Sequence, residues 1–346
     1  MCVVNHYVVV TDYIASNTGE DLSDALQKLI LAHPNRTIYF PDGEYVIAKP
    51  ICTPANPAHS VMLELSNFAV IKAAATWNSV EAMIRLGAAE PFNSIDINGS
   101  NYGISGGIID GSGIASGISV DSGRESRIER VSIKHTRIGI HIKYGANNSS
   151  SDVDVLNVNI VGNDKIGSIG VLIEGCDNTL TNMRIASVQV GIKILATSQF
   201  LRNIHPLYIF RGELASQEAY LDSYGFWDDT PNQVWYNNCY SDQFSVGFRM
   251  KDRARNIYSD CFCYWYSPKG GKQHGFEADG NFCSLIRNTN IHFCDEAQNA
   301  AYLKVKEENG NGRIESPILR TDMVSDATYE TYLCSAVCDS RESDRK

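Results

Sequence analysis

One short phrase recurs along most of this chain and restricts what it can fold into: a glycine followed by alternating apolar residues. It reads Gly117-Ile-Ser-Val-Asp, Gly139-Ile-His-Ile-Lys, Gly170-Val-Leu-Ile-Glu, Gly191-Ile-Lys-Ile-Leu, Gly225-Phe-Trp-Asp-Asp, Gly247-Phe-Arg-Met-Lys and Gly275-Phe-Glu-Ala-Asp. Successive glycines lie 22, 31, 21, 34, 22 and 28 residues apart, so a unit near 22 residues is lengthened by additions of 6 to 13. A second strand-like phrase, at Arg130-Val-Ser-Ile, Asn182-Met-Arg-Ile and Asn238-Cys-Tyr-Ser, begins 9 residues before the next motif glycine.

Such a unit is too short for a βαβ crossover, which takes about 30 residues. A propeller blade would want a period of about 40–50. The repeat fits a parallel β-helix, in which each coil stacks on the last and all coils share one core. Ile118, Ile140, Val171, Ile192, Phe226, Phe248 and Phe276 then point inward and alternate residues outward. Near the N-terminus Leu22, Ala25, Leu26, Leu29 and Ile30 have helical spacing after Thr18 and Asp21, and Pro34 ends the segment. This helix is expected to cover the open end of the stack, because a bare strand edge invites aggregation. Thr37-Ile-Tyr-Phe-Pro-Asp-Gly-Glu-Tyr-Val-Ile reads as a strand, a turn and a second strand.

Length alone, 346 residues, would suggest two domains, but the repeat makes one. The expected division is residues 1–36 as an N-terminal strand and capping helix, 37–339 as the β-helix with loop insertions, and 340–346 as a flexible tail. The net charge of −10 supplies no surplus of cations for phosphates, so no nucleic-acid partner is expected. No signal peptide is read in Met1–Val10, and no run of about 18 apolar residues marks a membrane span. The 10 cysteines, Cys2, Cys334 and Cys338 among them, follow no compact framework. They read as small core residues in a reducing, cytoplasmic compartment. The sequons at Asn147 and Asn148 have meaning only in a secretory pathway.

The early helix, Tyr39-Phe-Pro-Asp-Gly-Glu-Tyr and Gly106-Gly-Ile-Ile-Asp-Gly-Ser-Gly resemble segments of the pectate-lyase-like superfamily. That superfamily includes polygalacturonase-related glycosidases, fructan-processing fructotransferases and phage tailspike depolymerases. The resemblance covers roughly residues 12 to 310 as architecture. It implies an all-β fold, a single-stranded right-handed parallel β-helix with a short N-terminal capping helix. It also implies action on glycosidic bonds and side-by-side packing into a homotrimer. The polygalacturonase pattern places Asn-x-Asp, Asp-Asp and Gly-His-Gly on successive coils. Asp228-Asp229 matches the pair, and His274-Gly275 matches the histidine motif in part, with Gln273 in place of its first glycine. His274 lies 45 residues after Asp229, about two coils rather than one, and Leu207 stands where Asn-x-Asp would be.

If the motif strands stack in register, their outward residues form two columns. One is Ser119, His141, Leu172, Lys193, Trp227, Arg249 and Glu277; the other is Asp121, Lys143, Glu174, Leu195, Asp229, Lys251 and Asp279. The second alternates in sign apart from Leu195, which as a plain charge ladder would avoid repulsion between coils. As a groove it would hold a saccharide. Asp229, Glu277 and Asp279 are the candidate catalytic carboxylates, with Asp229 and Asp279 two coils, roughly 9–10 Å, apart. An inverting glycosidase separates its carboxylates by about 6.5–9.5 Å. Glu277 is expected to approach Asp229 diagonally. Trp227, Arg249, Lys251, Glu174, Lys193 and His274 are the candidate substrate-binding residues, Trp227 by stacking on a sugar ring and His274 as a proton shuttle.

Insertions at about 145–168, 197–224 and 252–274 are expected to form the walls of the groove. Tyr264, Trp265 and Tyr266 read as cover for an apolar edge. No Asp-rich calcium loop is present, and no second pair completes a zinc site at Cys261-x-Cys263. No metal or cofactor is expected, nor a membrane partner. The function read from the chain is cleavage or rearrangement of a glycosidic bond in a poly- or oligosaccharide. One rival is a polysaccharide lyase acting on a uronate, with Lys251 or Arg249 as base and clamp and calcium held by Asp. The other is a non-catalytic tailspike- or adhesin-type helix.

Overall fold

The computed structural model describes residues 7–90, 102–144, 150–294 and 299–321. Asn147, Asn148, Cys2, Cys334, Cys338 and the expected tail lie outside them. The chain winds as a parallel β-helix, and every strand pairing in it is parallel. One coil shows the plan. Arg127–Glu129 forms a first strand, Ser132–Thr136 a second and Ile138–Ile142 a third, and each pairs with its counterparts in the coils before and after. The third position is the motif strand. Ten such strands, from Ile51–Pro54 to Asn299–Glu307, form one sheet. The first and second strands form two further stacks, joined where Thr179–Ala186 and Gln199–Leu207 span the corner between them.

The register follows the repeat. Ile118, Ile140, Val171, Ile192, Phe226, Phe248 and Phe276 are paired in succession, and each is at most 1% exposed. Burying each such side chain contributes roughly 1.5–3 kcal/mol. From Tyr224 onward the column is aromatic. Phe226 stacks on Phe248 at 4.7 Å and Phe248 on Phe276 at 5.1 Å, beside a Tyr236–Tyr258 stack at 4.6 Å.

The motif glycine has a steric reason. A Cβ on Gly139 would lie 2.6 Å from the Gly170 carbonyl oxygen, and one on Gly191 would lie 2.3 Å from that of Gly225. The corner between the second and third strands is too tight for any side chain. The corner between the first and second strands uses left-handed backbone instead. Arg130, Asn157, Asn182, Asn203, Asn238, Asp260 and Asn288 all have φ between 49° and 57°, a region asparagine and aspartate visit more readily than most residues. The asparagines also chain together: Asn182 Nδ2 donates to Asn157 Oδ1 at 3.1 Å, and Asn203 Nδ2 to Asn182 Oδ1 at 2.6 Å.

The N-terminal helix is Ser23–Ala32, with Leu26, Leu29 and Ile30 buried. Ala25, counted on its inner face from sequence, is exposed. The helix sits against the first motif strand, and Gln27 brackets that edge: Cys52 N–H donates to its Oε1 at 2.7 Å and its Nε2 donates to the Cys52 carbonyl at 3.0 Å. Tyr7–Val9 pairs with Thr37–Phe40 and so belongs to the stack, crossing the expected boundary at residue 36. The expected insertions shrink. Residues 145–168 contain the strands Asp154–Leu156 and Asn159–Gly162, and 252–274 contain Ile257–Ser259 and Phe262–Tyr264. Of 197–224, the stretch after Leu207 is the loop, carrying the short helix Gln217–Leu221. No helix among the described residues is long and apolar enough to cross a membrane.

Candidate functional site

The two outward columns of the motif sheet are in register. Ser119, His141, Leu172, Lys193, Trp227, Arg249 and Glu277 pair strand to strand. The second column continues the ladder through backbone bonds: Lys143 N–H to the Val120 carbonyl, Glu174 to Ile142, Leu195 to Ile173 and Asp229 to Ile194. Glu174, Lys193, Trp227, Asp229, Arg249 and Glu277 therefore share one face.

Their contacts modify the expected roles. Trp227 lies between Lys193, whose Nζ is 3.9 Å from the ring centre, and Arg249, whose guanidinium carbon is 4.7 Å from it. Lys193 comes from the preceding coil and Arg249 from the following one, so both ring faces are occupied. Trp227 offers a ligand only its edge, not the stacking surface expected. Arg249 also donates to Asp279 from Nε at 2.8 Å and to the Tyr224 hydroxyl at 2.9 Å.

The carboxylates differ. Burial works to raise the Asp279 carboxyl, but hydrogen bonds from Arg249 and Lys306 outweigh it and hold it below the ordinary range. Burial likewise opposes ionisation of Glu277, yet His274 at 2.6 Å and Lys272 at 2.8 Å hold it at about 2. Glu277 is tied to these two neighbours, not to Asp229 as expected. Asp229 is 42% exposed at its side chain, with Lys251 Nζ 3.3 Å away. Glu174 pairs with His141 at 3.0 Å.

Two elements of the polygalacturonase-like pattern fall apart. Asp228 and Asp229 lie on opposite sides of the sheet: Asp228 is 1% exposed and fills the inward column between Ile194 and Met250. Thr230 N–H donates to its Oδ1 at 2.9 Å and Asn256 Nδ2 to its Oδ2 at 2.6 Å. Burial nevertheless pushes its pKa up to about 7. These two acids cannot flank one bond. His274 is 5% exposed, bonded to Glu277 and to Asn299 Oδ1 at 3.0 Å, so it is packed away rather than poised at the surface. Trp265 is a buried prop whose Nε1 donates to the Phe244 carbonyl at 2.7 Å, while Tyr266 beside it is exposed.

No family model matches the chain, and no curated protein does. Solved structures do. A tailspike double mutant of E. coli bacteriophage HK620, in complex with a pentasaccharide, aligns over 92% of this chain and 64% of its own, with a TM-score of 0.68 and 10% identity. The fold is a right-handed parallel β-helix. The catalytic unit of a GH87 alpha-1,3-glucanase from Streptomyces thermodiastaticus aligns over 91% of this chain and 64% of its own, with a TM-score of 0.59 and 14% identity. PfbA, a surface adhesin of Streptococcus pneumoniae, aligns over 91% and 90%, with 0.56 and 12%. The chain spans under two thirds of the length of that tailspike and that glucanase.

A second cluster lies on another face. His205, Tyr240 and Asp242 project outward from the second stack, beside Arg184 and the left-handed asparagines. His205 was read from sequence as part of a loop; it stands on the strand Gln199–Leu207. The recurrence of Asn at one place in successive coils was the signal for this face.

Proposed function

We propose that the protein is a carbohydrate-active enzyme that holds a poly- or oligosaccharide against the outer motif face of its last coils and cleaves or rearranges a glycosidic bond there. The carrying observation is the pair Asp229, which follows the strand Tyr224–Asp228, and Asp279, in the strand Lys272–Asn281: the strand Val246–Met250 lies between them, so two coil steps, roughly 9–10 Å, separate the two positions. In the hydrolytic form Asp279, kept ionised by Arg249 and Lys306, takes a proton from a water that attacks the anomeric carbon. The departing glycosidic oxygen takes its proton from the Asp229–Lys251 pair on the other side of the bond. Lys251, Lys193 and Glu174 line the same face and supply hydrogen bonds to sugar hydroxyls. Glu277 fixes Lys272 and His274 and stays charged. The tailspike bound to a pentasaccharide and the glucanase support a carbohydrate ligand for a stack of this kind.

The test is a screen of fructans, pectins and capsule-like glycans with product masses measured, since hydrolysis adds water and elimination does not. Asp229→Asn and Asp279→Asn are each expected to lower cleavage by about 10²–10⁴-fold; cleavage at the unmodified rate by both would overturn the assignment. A second reading, a non-catalytic saccharide-binding helix, is favoured by the pairing on this face. Asp121, Glu174, Asp229, Glu277 and Asp279 each have a cationic or histidine partner. Binding without cleavage of any glycan would select it.

A further inference from the structure

The corner asparagines Asn157, Asn182 and Asn203 line an open surface cavity of about 200 Å³ together with Asn159, Arg184, His205 and buried Met183. Each corner side chain is aimed by its backbone, because φ near 55° turns Asn157, Asn182 and Asn203 out of the strand direction at the same point of successive coils. Within the ladder Asn182 and Asn203 each spend one N–H and one oxygen lone pair, and Asn157 one lone pair. A primary amide has two N–H groups and two lone pairs, so each keeps both donor and acceptor capacity towards the cavity.

His205 is fixed from three sides. Arg184 donates to Nδ1 at 3.2 Å, which leaves Nε2 to carry the proton and face Asp242 Oδ2 at 3.4 Å. Its ring stacks on Tyr240 at 4.1 Å with 14° between planes, and the Tyr240 hydroxyl donates to the same Asp242 oxygen at 3.0 Å. Asp242 is 8% exposed, and its Oδ1 has no hydrogen-bond partner among the described residues. The Arg184 guanidinium is partly committed to His205, and no acid among the described residues lines the cavity. The lining is thus dominated by groups that donate and accept at once, which is the complement of vicinal hydroxyls rather than of an anion.

We propose that this cavity is a second sugar-contacting site, taking one neutral hexose residue through its vicinal hydroxyls, with Asn157, Asn182, Asn203 and Arg184 as contacts and Asp242 as the positioning residue for His205. The proposal rests on the carbohydrate reading above but concerns a different face. A saccharide would then touch the stack at two places, one of which performs no chemistry.

The probes are D-glucose, D-galactose and D-mannose, titrated into the full chain while the side-chain amide resonances of asparagine are followed by NMR. At least one hexose is expected to shift the Asn182 and Asn203 signals. His205→Ala is expected to weaken that response about tenfold. Asn203→Gly, which keeps the left-handed backbone while deleting the amide, serves as the second variant with the same expected loss. No shift with any hexose, an equal shift with glucuronate or acetate, or a response untouched by both variants would overturn the site. Asp279→Asn separates the two proposals: loss of glycan cleavage with hexose shifts retained keeps both. Failure of cleavage by the unmodified chain removes the catalytic reading and leaves the hexose result to stand or fall on its own.

Discussion

The coils before Ile194 and those after Tyr224 follow one register but fill it differently. In the first set the inward column is Ile118, Ile140, Val171 and Ile192; in the second it is Phe226, Phe248 and Phe276, flanked by Tyr236 and Tyr258. The aliphatic set interlocks by shape alone. The aromatic set stacks ring on ring, and within it lies the buried acid Asp228 with Asn256 and the Tyr258 hydroxyl beside it. On the outside, the aromatic half also carries Trp227 with its two cations. The difference teaches that backbone register and side-chain chemistry are separable here: the glycine corner sets the first, and each coil is free to choose the second.

Breaking the shared element should have the largest effect. Gly191→Ala sets a Cβ against the Gly225 carbonyl at the junction of the two halves; a loss of about 5 kcal/mol or outright failure to fold is expected in thermal unfolding. Next, the two fillings can be compared directly. Phe248→Ala should cost about 3–5 kcal/mol and Ile140→Ala about 2–5 kcal/mol; denaturant titration gives both, and a cost near zero at either position would remove it from the continuous core.

The pH dependence belongs to the aromatic half. Asp228 has a folded pKa of about 7 against an ordinary 3.8, so between these values the folded chain holds a proton that the unfolded chain has released. Its contribution is fully present below about pH 4 and is lost as pH rises to about 7, a change on the order of 4 kcal/mol. Asp228→Asn should flatten that slope in unfolding midpoints taken across pH 4 to 8. Glu277 runs the other way: its contribution is present above the ordinary carboxylate range and is lost as pH falls towards about 2. Smallest is the outer sandwich: Lys193→Met should cost only about 0.5–1 kcal/mol, and a larger loss would mean that Trp227 props the coil rather than decorating it.

The sheet register was legible because one glycine per coil sits where no Cβ fits, so its spacing reports coil length directly. The first and second strands were harder to see. Arg127–Glu129 and Asp154–Leu156 have only three residues and no glycine between them and the next strand, so the segments holding Asp154–Leu156 and Ile257–Ser259 read as insertions. Their marker was the left-handed residue after each, Arg130, Asn157 and Asp260, a signal of backbone conformation rather than of hydrophobicity. At the site, alternation already made Phe226 inward and therefore Asp228 inward too; matching a two-acid motif concealed that. The stacking of Lys193, Trp227 and Arg249 was implicit in the same column, since neighbours about 4.8 Å apart leave no room for a sugar between them. The pairing of Glu277 with Lys272 and His274 was not readable, because it depends on rotamers within one long strand.

The tight glycine corner also bears on how such a chain can change its length. Each motif strand pairs only with the one above and the one below, and the contact at Gly139 has the same form as that at Gly191. Removing the 22 residues from Gly117 to Ile138 would therefore set Gly139 where Gly117 stood and bring His141 beside Arg85, with the sheet still in phase. Coils of 21, 22 and 31 residues already keep this phase, so a residue more or less is taken up in the loops between strands. Growth and loss in this molecule are quantised by the coil, and a whole-coil duplication would slide the outer charges along the face by one step while leaving the core continuous.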